Sequence, residues 1–265
     1  MHVLCKYYVV DEKKLLFLTN KFQFLVQMNN KLKISKESIK KSSVITIGLF
    51  LIASIVIGRS IFSGSITLEE QEDGFTYLFD GTNLDQWTGN KTDYFIKNKK
   101  LVVRPGKGGH GNLFTVKEYS DFIFRFEFKL TPGANNGLGI HASLKGDAAY
   151  EGKEIQILDN TADKYKDLKP YQYHGSIYGI IPAKRGYLKP VGEWNYQEVY
   201  VKGDDIKVTL NGTIILDGNI KEASKNGTMD HKKHPGLKRH KGHIGFLGHG
   251  DELEFKNIRI KDLSK

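Results

Sequence analysis

Asp121–Thr131 reads DFIFRFEFKLT. Phe122, Phe124, Phe126, Phe128 and Leu130 fall on one side of an extended chain; Arg125, Glu127 and Lys129 fall on the other. Successive strand side chains point to opposite faces, so this unbroken alternation predicts a β-strand with one packed and one solvated face. Shorter runs of the same kind lie at Lys100–Arg104, Gly137–Ala142, Lys153–Leu158, Ser176–Ile181 and Glu193–Lys202. Asp205–Leu210 and Thr213–Asp217 flank Asn211-Gly212, a strong hairpin signal. His243–Leu247 and Glu252–Ile260 complete the set. In the latter, Leu253 and Phe255 share one parity and Ile258 and Ile260 the other, which predicts a bulge near Lys256-Asn257. No long apolar three-four pattern follows residue 66; a short helix is expected near Leu216–Ser224. Many short strands with Gly-rich turns predict an all-β fold. The expected architecture is a two-sheet antiparallel sandwich or jelly roll, with residues 66–265 as one domain. Lys221–Lys241 is polar, basic and without strand pattern. It reads as an excursion loop, and long loops in compact domains are usually functional or mobile.

The composition suits a globular protein: 39% hydrophobic and 26% charged residues, with 28 Gly against 6 Pro in 265 residues. It excludes collagen, coiled coil and a mostly disordered chain. The formal charge of +10 is unevenly divided. Residues 1–65 hold 10 Lys+Arg and 3 Asp+Glu, and residues 66–265 hold 30 and 27. The nearly balanced domain gives no case for a phosphate-binding surface, so no nucleic-acid partner is expected. Cys5, the only cysteine, lies in the first segment. There Lys31, Lys33, Lys36, Lys40 and Lys41 precede the apolar run Val44–Gly58, VITIGLFLIASIVIG, interrupted by Arg59. The run is short for a membrane span, and the pattern reads as a secretory signal with small residues Ser63 and Ser65 before Ile66. An uncleaved signal anchor is the alternative, and would be the chain's membrane contact. Met28 sits where such a signal should start; the other reading of residues 1–27 is an unusually long basic region.

Tyr150–Asn160, YEGKEIQILDN, is the most informative stretch for chemistry. Strand geometry points Lys153, Ile155 and Ile157 one way, and Glu154, Gln156 and Leu158 the other. A carboxylate beside an amide can hold sugar hydroxyls, and the carboxylate can act as a base; the alternative is a solvated outer face. Glu154 and Asp159 do not suit a glycosidase pair. Such pairs stand about 5–9.5 Å apart, whereas five extended residues span about 16 Å and place the side chains on opposite faces. Asp159 better suits a turn at Asp159-Asn160. Asn135, Asn136 and Gly137 suit a turn entering a strand, with the isolated His141 beyond. Trp194 is a stacking surface for a sugar ring or a core residue. His231, His234, His240, His243 and His249 match no standard zinc spacing; they make a metal site or a solvated basic loop. No GxGxxG, P-loop, HExxH or GxSxG occurs, so nucleotide-cofactor and serine-hydrolase chemistry find no support.

Phe79-Asp80-Gly81-Thr82-Asn83-Leu84-Asp85-Gln86-Trp87 resembles the opening FDG-x-x-L-x-x-W motif of the 3-keto-disaccharide hydrolase family. Asn135-Asn136-Gly137, Gly152–Asp159, His174–Gly179, Glu193-Trp194-Asn195, Leu210-Asn211-Gly212 and Gly245–Ile260 resemble its later motifs in the same order, over roughly residues 75–262. Single motifs are weak; their ordered set is specific. The resemblance implies a concanavalin A-like jelly roll with a concave groove, found in the periplasm or cell envelope of bacteria. It implies a carbohydrate substrate with a ketone at carbon three, cleaved by elimination and then hydration, which equals net hydrolysis. Such chemistry needs a base, an enolate stabiliser and sugar-holding groups. By motif match, Glu154, His249 and Tyr178 are the catalytic candidates, with Glu154 or His249 as base. Gln156, Trp194, Asn195, Asn136 and His141 are the substrate-binding candidates, and a divalent ion is a further enolate stabiliser. Where many members carry an arginine soon after the NSG motif, this chain has His141 near that place, which removes a bidentate grip. The competing function is a non-catalytic, lectin-like module of the same fold. Convergence of Glu154, Tyr178 and His249 in one groove separates the two.

Overall fold

The computed structural model describes residues 66–106 and 111–264. The expectations for residues 1–65, namely a signal or anchor, a start at Met28 and cleavage near Ser65, lie outside the described residues. Among the described residues, thirteen strands, numbered in chain order, form two antiparallel sheets. The eight-stranded sheet holds β1 (Phe75–Phe79), β3 (Tyr94–Lys97), β4 (Lys100–Val103), β6 (Phe122–Leu130), β9 (Trp194–Lys202), β10 (Asp205–Leu210), β11 (Thr213–Asn219) and β13 (Leu253–Asp262). The five-stranded sheet runs β2 (Trp87–Gly89), β5 (Asn112–Thr115), β12 (His243–Gly248), β7 (Asn135–Ala142), β8 (Lys153–Leu158) in spatial order. This is the expected two-sheet sandwich of the jelly-roll kind. Among the described residues the α-helices are short: α1 (Leu68–Glu72), α2 (Ala148–Glu151) and α3 (Ile220–Ser224).

β6 fulfils its alternation. Phe122, Phe124, Phe126 and Phe128 are fully buried between the sheets. β6 pairs with β9 on one side and β13 on the other. The anticipated bulge is present: the β6–β13 register shifts between Lys256 and Arg259, and Asn257 adopts φ 52°. Before the bulge β13 pairs with β4 and after it with β1, so the extra residue is where the strand changes neighbour. The Asn211-Gly212 turn joins β10 to β11 with φ 50° and 87°, the left-handed pair that a two-residue hairpin requires. Outside the eight-stranded sheet, Glu70 of α1 binds Arg125 at 2.6 Å and Arg259 at 3.0 Å, which ties the start of the domain to β6 and β13.

The opening FDG motif proves architectural. Asp80 Oδ1 accepts from the Thr82 backbone N–H and hydroxyl, which sets the turn after β1. Trp87 is buried, donates its indole N–H to the Leu78 carbonyl at 2.7 Å and stacks on Phe246. β1, β2, β3 and β5 escape the sequence reading, since runs of three to five residues carry little period; of the strands this short, only β4 is read from the sequence. The expected strand Ser176–Ile181 is corrected. Residue 177 makes only isolated bridges, to Ile155 and Ile181, because Gly175 and Gly179 take φ 80° and 72° and fold the segment into turns.

Phe246 lies at the centre of the core. Its ring stands 3.9 Å from Phe255, 5.7 Å from Trp87 and 5.8 Å from Phe126. Phe246→Ala should therefore cost about 3–5 kcal/mol, measured by chemical denaturation of residues 66–265, and a loss below 1 kcal/mol would contradict this packing.

Candidate active site

β8 carries the polar pair in the register its sequence anticipates. Ile155 and Ile157 point into the core, opposite Leu138 and Asn136 of β7, while Glu154, Gln156 and Leu158 lie opposite Gly139, Gly137 and Asn135. The outward face is not solvated, however: Glu154 is 3% exposed and Gln156 5%. Three pieces of chain cover it. α2 packs over β7 and β8, its N-terminus capped by Asp147 Oδ1, which accepts from the Ala149 N–H. The segment 165–178 follows β8 along its free edge. The excursion loop joins that segment at its end, where the Gly179 carbonyl accepts from the Met229 and Asp230 N–H groups. Between them lies a cavity of about 430 Å³.

Glu154, Gln156, Tyr178 and His249 all line this cavity. His249 follows β12, and its Nε2 lies 3.2 Å from Glu154 Oε1. Burial disfavours the imidazolium, but the hydrogen bond and charge of Glu154, aided by the charges of Asp147 and Asp251, outweigh it and hold the His249 pKa above the usual 6.5. Tyr178 is placed by its own backbone, whose N–H donates to the Glu154 carbonyl at 2.9 Å. Burial first, then neighbouring Tyr150, push its phenol up to about 12, so Tyr178 stays a neutral hydrogen-bond donor across the physiological range. Gly137 makes room for the carboxylate: a Cβ there would overlap Glu154 Oε1. The Asn135-Asn136-Gly137 motif thus supplies a gap on the sheet rather than a turn.

Four expected binding residues lie elsewhere. Asn136 points into the sandwich, where its Nδ2 donates to the Tyr94 hydroxyl; β7 already begins at Asn135, so Asn135 faces the cavity instead. His141 is buried at a bulge with φ 49°, held between the Ser120 carbonyl and Lys153 Nζ and edge-on to Phe122. Burial, then the Lys153 charge, lower its pKa to about 4, so it is neutral and enclosed rather than open to a sugar. Trp194 lies on the outer face of the eight-stranded sheet, beside Lys129 of β6, with Lys256 Nζ 4.2 Å from its ring. Asn195 is buried; its Oδ1 accepts from Lys189 N–H and Asn211 Nδ2 and fixes the loop that precedes β9. Asp159 organises the turn as expected, accepting from the backbone N–H groups of Gly133 and Thr161.

Sequence reasoning missed Tyr150, Asp147 and Lys232, which also line the cavity. They sit on a four-residue helix, its cap and an aperiodic loop, where no alternation marks a face. The five-histidine set disperses. His234 is buried against Asp230, which corrects the solvated-loop reading; His243 Nδ1 lies 2.7 Å from the Thr115 carbonyl, and His249 faces Glu154. Among the described residues no three His, Cys, Asp or Glu side chains gather to hold a metal. Glu154 and His249 bind each other and Asp147 caps α2, so this donor set does not fit a divalent ion, and no step below uses one.

Gly137→Ala tests the gap. The added methyl should cost about 1–3 kcal/mol as overpacking and push Glu154 off His249. The His249 titration followed by NMR should then fall towards 6.5; an unchanged midpoint would show that Gly137 does not seat the carboxylate.

Comparison with known proteins agrees with this architecture. Residues 74–261 match the family described as the 3-keto-alpha-glucoside-1,2-lyase-like domain. A 3-keto-disaccharide hydrolase of Bacteroides thetaiotaomicron is 26% identical, over 75% of this chain and 82% of its own. Two solved structures of candidate glycosyl hydrolases from Parabacteroides distasonis share the fold. One is 24% identical with a TM-score of 0.65, covering 76% of this chain and 99% of its own. The other is 30% identical with a TM-score of 0.63, covering 71% and 99%. The match runs from β1 to β13 and takes in both sheets and the cavity: this chain belongs to the 3-keto-disaccharide hydrolase family of glycoside-cleaving enzymes, whose domain is described as 3-keto-alpha-glucoside-1,2-lyase-like.

Proposed function

We propose that the cavity cleaves glycosides whose sugar carries a ketone at carbon three, by elimination followed by hydration. The observation that carries this reading is the 3.2 Å contact between buried Glu154 and exposed His249 inside one pocket with Tyr178. A ketone at carbon three acidifies the hydrogen on carbon two. The Glu154 carboxylate takes that proton, and its electrons move to form the enolate. The enolate then expels the oxygen on carbon one, which receives a proton from the His249 imidazolium. Glu154 is now a carboxylic acid and His249 a neutral imidazole, which is the arrangement hydration needs. His249 accepts a proton from water as the water adds to carbon one, and Glu154 returns its proton to carbon two. Both groups end as they began, and the sum is hydrolysis. Gln156 and Asn135 supply amides for sugar hydroxyls, and neutral Tyr178 donates a hydrogen bond.

Convergence of Glu154, Tyr178 and His249 favours catalysis over a purely lectin-like role, since sugar binding alone has no use for a buried carboxylate that favours the charged form of a neighbouring imidazole. The family resemblance and the basic, apolar leader together support export to the bacterial envelope. N-terminal sequencing of the envelope form should then begin near Ile66; intact chain confined to the cytoplasm would contradict it.

Purified residues 66–265 should release product from a 3-keto-disaccharide and leave the ordinary disaccharide intact. In heavy water, deuterium should appear at carbon two. Glu154→Gln should lower turnover by about 10²–10⁴-fold. The acid role of His249 is available below its raised pKa and is lost as pH rises through it. The rate should therefore fall on an alkaline limb lying above 6.5. Full activity in Glu154→Gln, or cleavage without deuterium uptake, would sink this mechanism.

A further inference from the structure

Among the described residues lining the cavity, Lys232 is the one lysine or arginine. It comes from the excursion loop, and that loop is anchored far more firmly than an exposed basic loop requires. On one side of Lys232, the Met229 and Asp230 N–H groups donate to the Gly179 carbonyl. On the other, His234 is buried and its Nε2 lies 3.0 Å and 3.1 Å from the two Asp230 oxygens. Gly179 lies under this pair so closely that a Cβ would meet both side chains. Farther on, Lys153 Nζ donates to the Arg239 carbonyl, and Gly236 packs directly on the backbone at Glu151 and Gly152. Lys232 itself is fixed by its own N–H, which donates to Asp230 Oδ1, and by its carbonyl, which accepts from the Thr228 hydroxyl.

What this scaffold presents is an ammonium against a phenol. Lys232 Nζ donates to the Tyr150 hydroxyl oxygen at 3.0 Å. The Tyr150 ring is held between His234, 4.6 Å between centroids, and Tyr178, edge-on at 6.2 Å. The phenol oxygen holds the Lys232 ammonium above the ordinary lysine range, so the cation persists. A hydroxyl that accepts from a cation becomes a stronger donor through its own hydrogen, and charge-assisted bonds of this kind are about twice as strong as neutral ones.

Resting on the elimination mechanism above, we propose that Tyr150, polarised by Lys232, donates to the carbon-three oxygen as negative charge develops there. When Glu154 takes the carbon-two proton, the electron pair flows into the carbon-three carbonyl. The oxygen so charged accepts the Tyr150 hydrogen bond without taking the proton. As the carbon-one bond breaks, the charge leaves that oxygen. Tyr150 touches the substrate, and Lys232 is a positioning residue that acts through it.

The test measures kcat and KM on a 3-keto-disaccharide for wild type, Lys232→Met, Lys232→Arg, Tyr150→Phe and the double variant. Removing one donor to a developing oxyanion costs about 10²–10³-fold in kcat. Lys232→Met should lose about 10²-fold, with KM and melting temperature nearly unchanged because the lysine is exposed. Lys232→Arg should recover most of the rate. Tyr150→Phe should lose as much as Lys232→Met, and the double variant should lose little more than either alone. An active wild type with unchanged kcat in Lys232→Met, a loss confined to KM, or multiplicative losses in the double variant would overturn the inference while leaving the Glu154 mechanism intact. A wild type inactive on the 3-keto sugar would remove both.

Discussion

Phe246 of the five-stranded sheet and Phe255 of the eight-stranded sheet face each other with ring centroids 3.9 Å apart. Everything else is arranged around this closure. It commits the inner face of each sheet to apolar side chains, so every strand must spend alternate residues on the core. Chemistry is left to the opposite parity. On β8 that leaves Glu154 and Gln156 facing away from Ile155 and Ile157. The catalytic proposal therefore begins with a packing constraint: the residues that hold the sheets together decide which neighbours are free to meet a sugar.

Covering the outward face matters as much as choosing it. All six residues of β8 are buried although half of them face away from the core. α2, the segment after β8 and the excursion loop shield Glu154 on its surface, while His249 stays exposed. This asymmetry gives each partner a role. Buried Glu154 interacts strongly with the imidazole because little water screens it, and exposed His249 can exchange protons with water during hydration.

Legibility in the sequence followed periodicity. β6, β8 and the β10–β11 hairpin were readable because alternation and turn chemistry are local properties. The bulge in β13 was readable as a change of parity. Asn136 failed because the strand begins one residue earlier than the turn-like pair of asparagines suggests; extending the Leu138 and Ile140 parity backwards would have sent Asn136 inward. His141 failed because its left-handed backbone breaks the alternation that the residues before it obey. Trp194 failed because parity within β9 says nothing about which sheet the strand joins, and only pairing with β6 places it away from the cavity. Tyr150 and Lys232 belong to a short helix and an aperiodic loop, whose positions depend on distant contacts. For the loop, its length alone hinted at function.

The turn that carries Tyr178 has a second consequence. β8 is the last strand of its sheet, and an outermost strand with free N–H and C=O groups invites pairing with other chains. Here the Gln156 N–H donates to the Ser176 carbonyl, the Gly175 N–H to the Gln156 carbonyl and the Tyr178 N–H to the Glu154 carbonyl. The segment bearing Tyr178 thus guards the sheet against edge-to-edge aggregation. It cannot swing aside without baring that edge, so solubility confines loop evolution in this enzyme to the adjoining chain around Lys232, which can change without unsealing a strand.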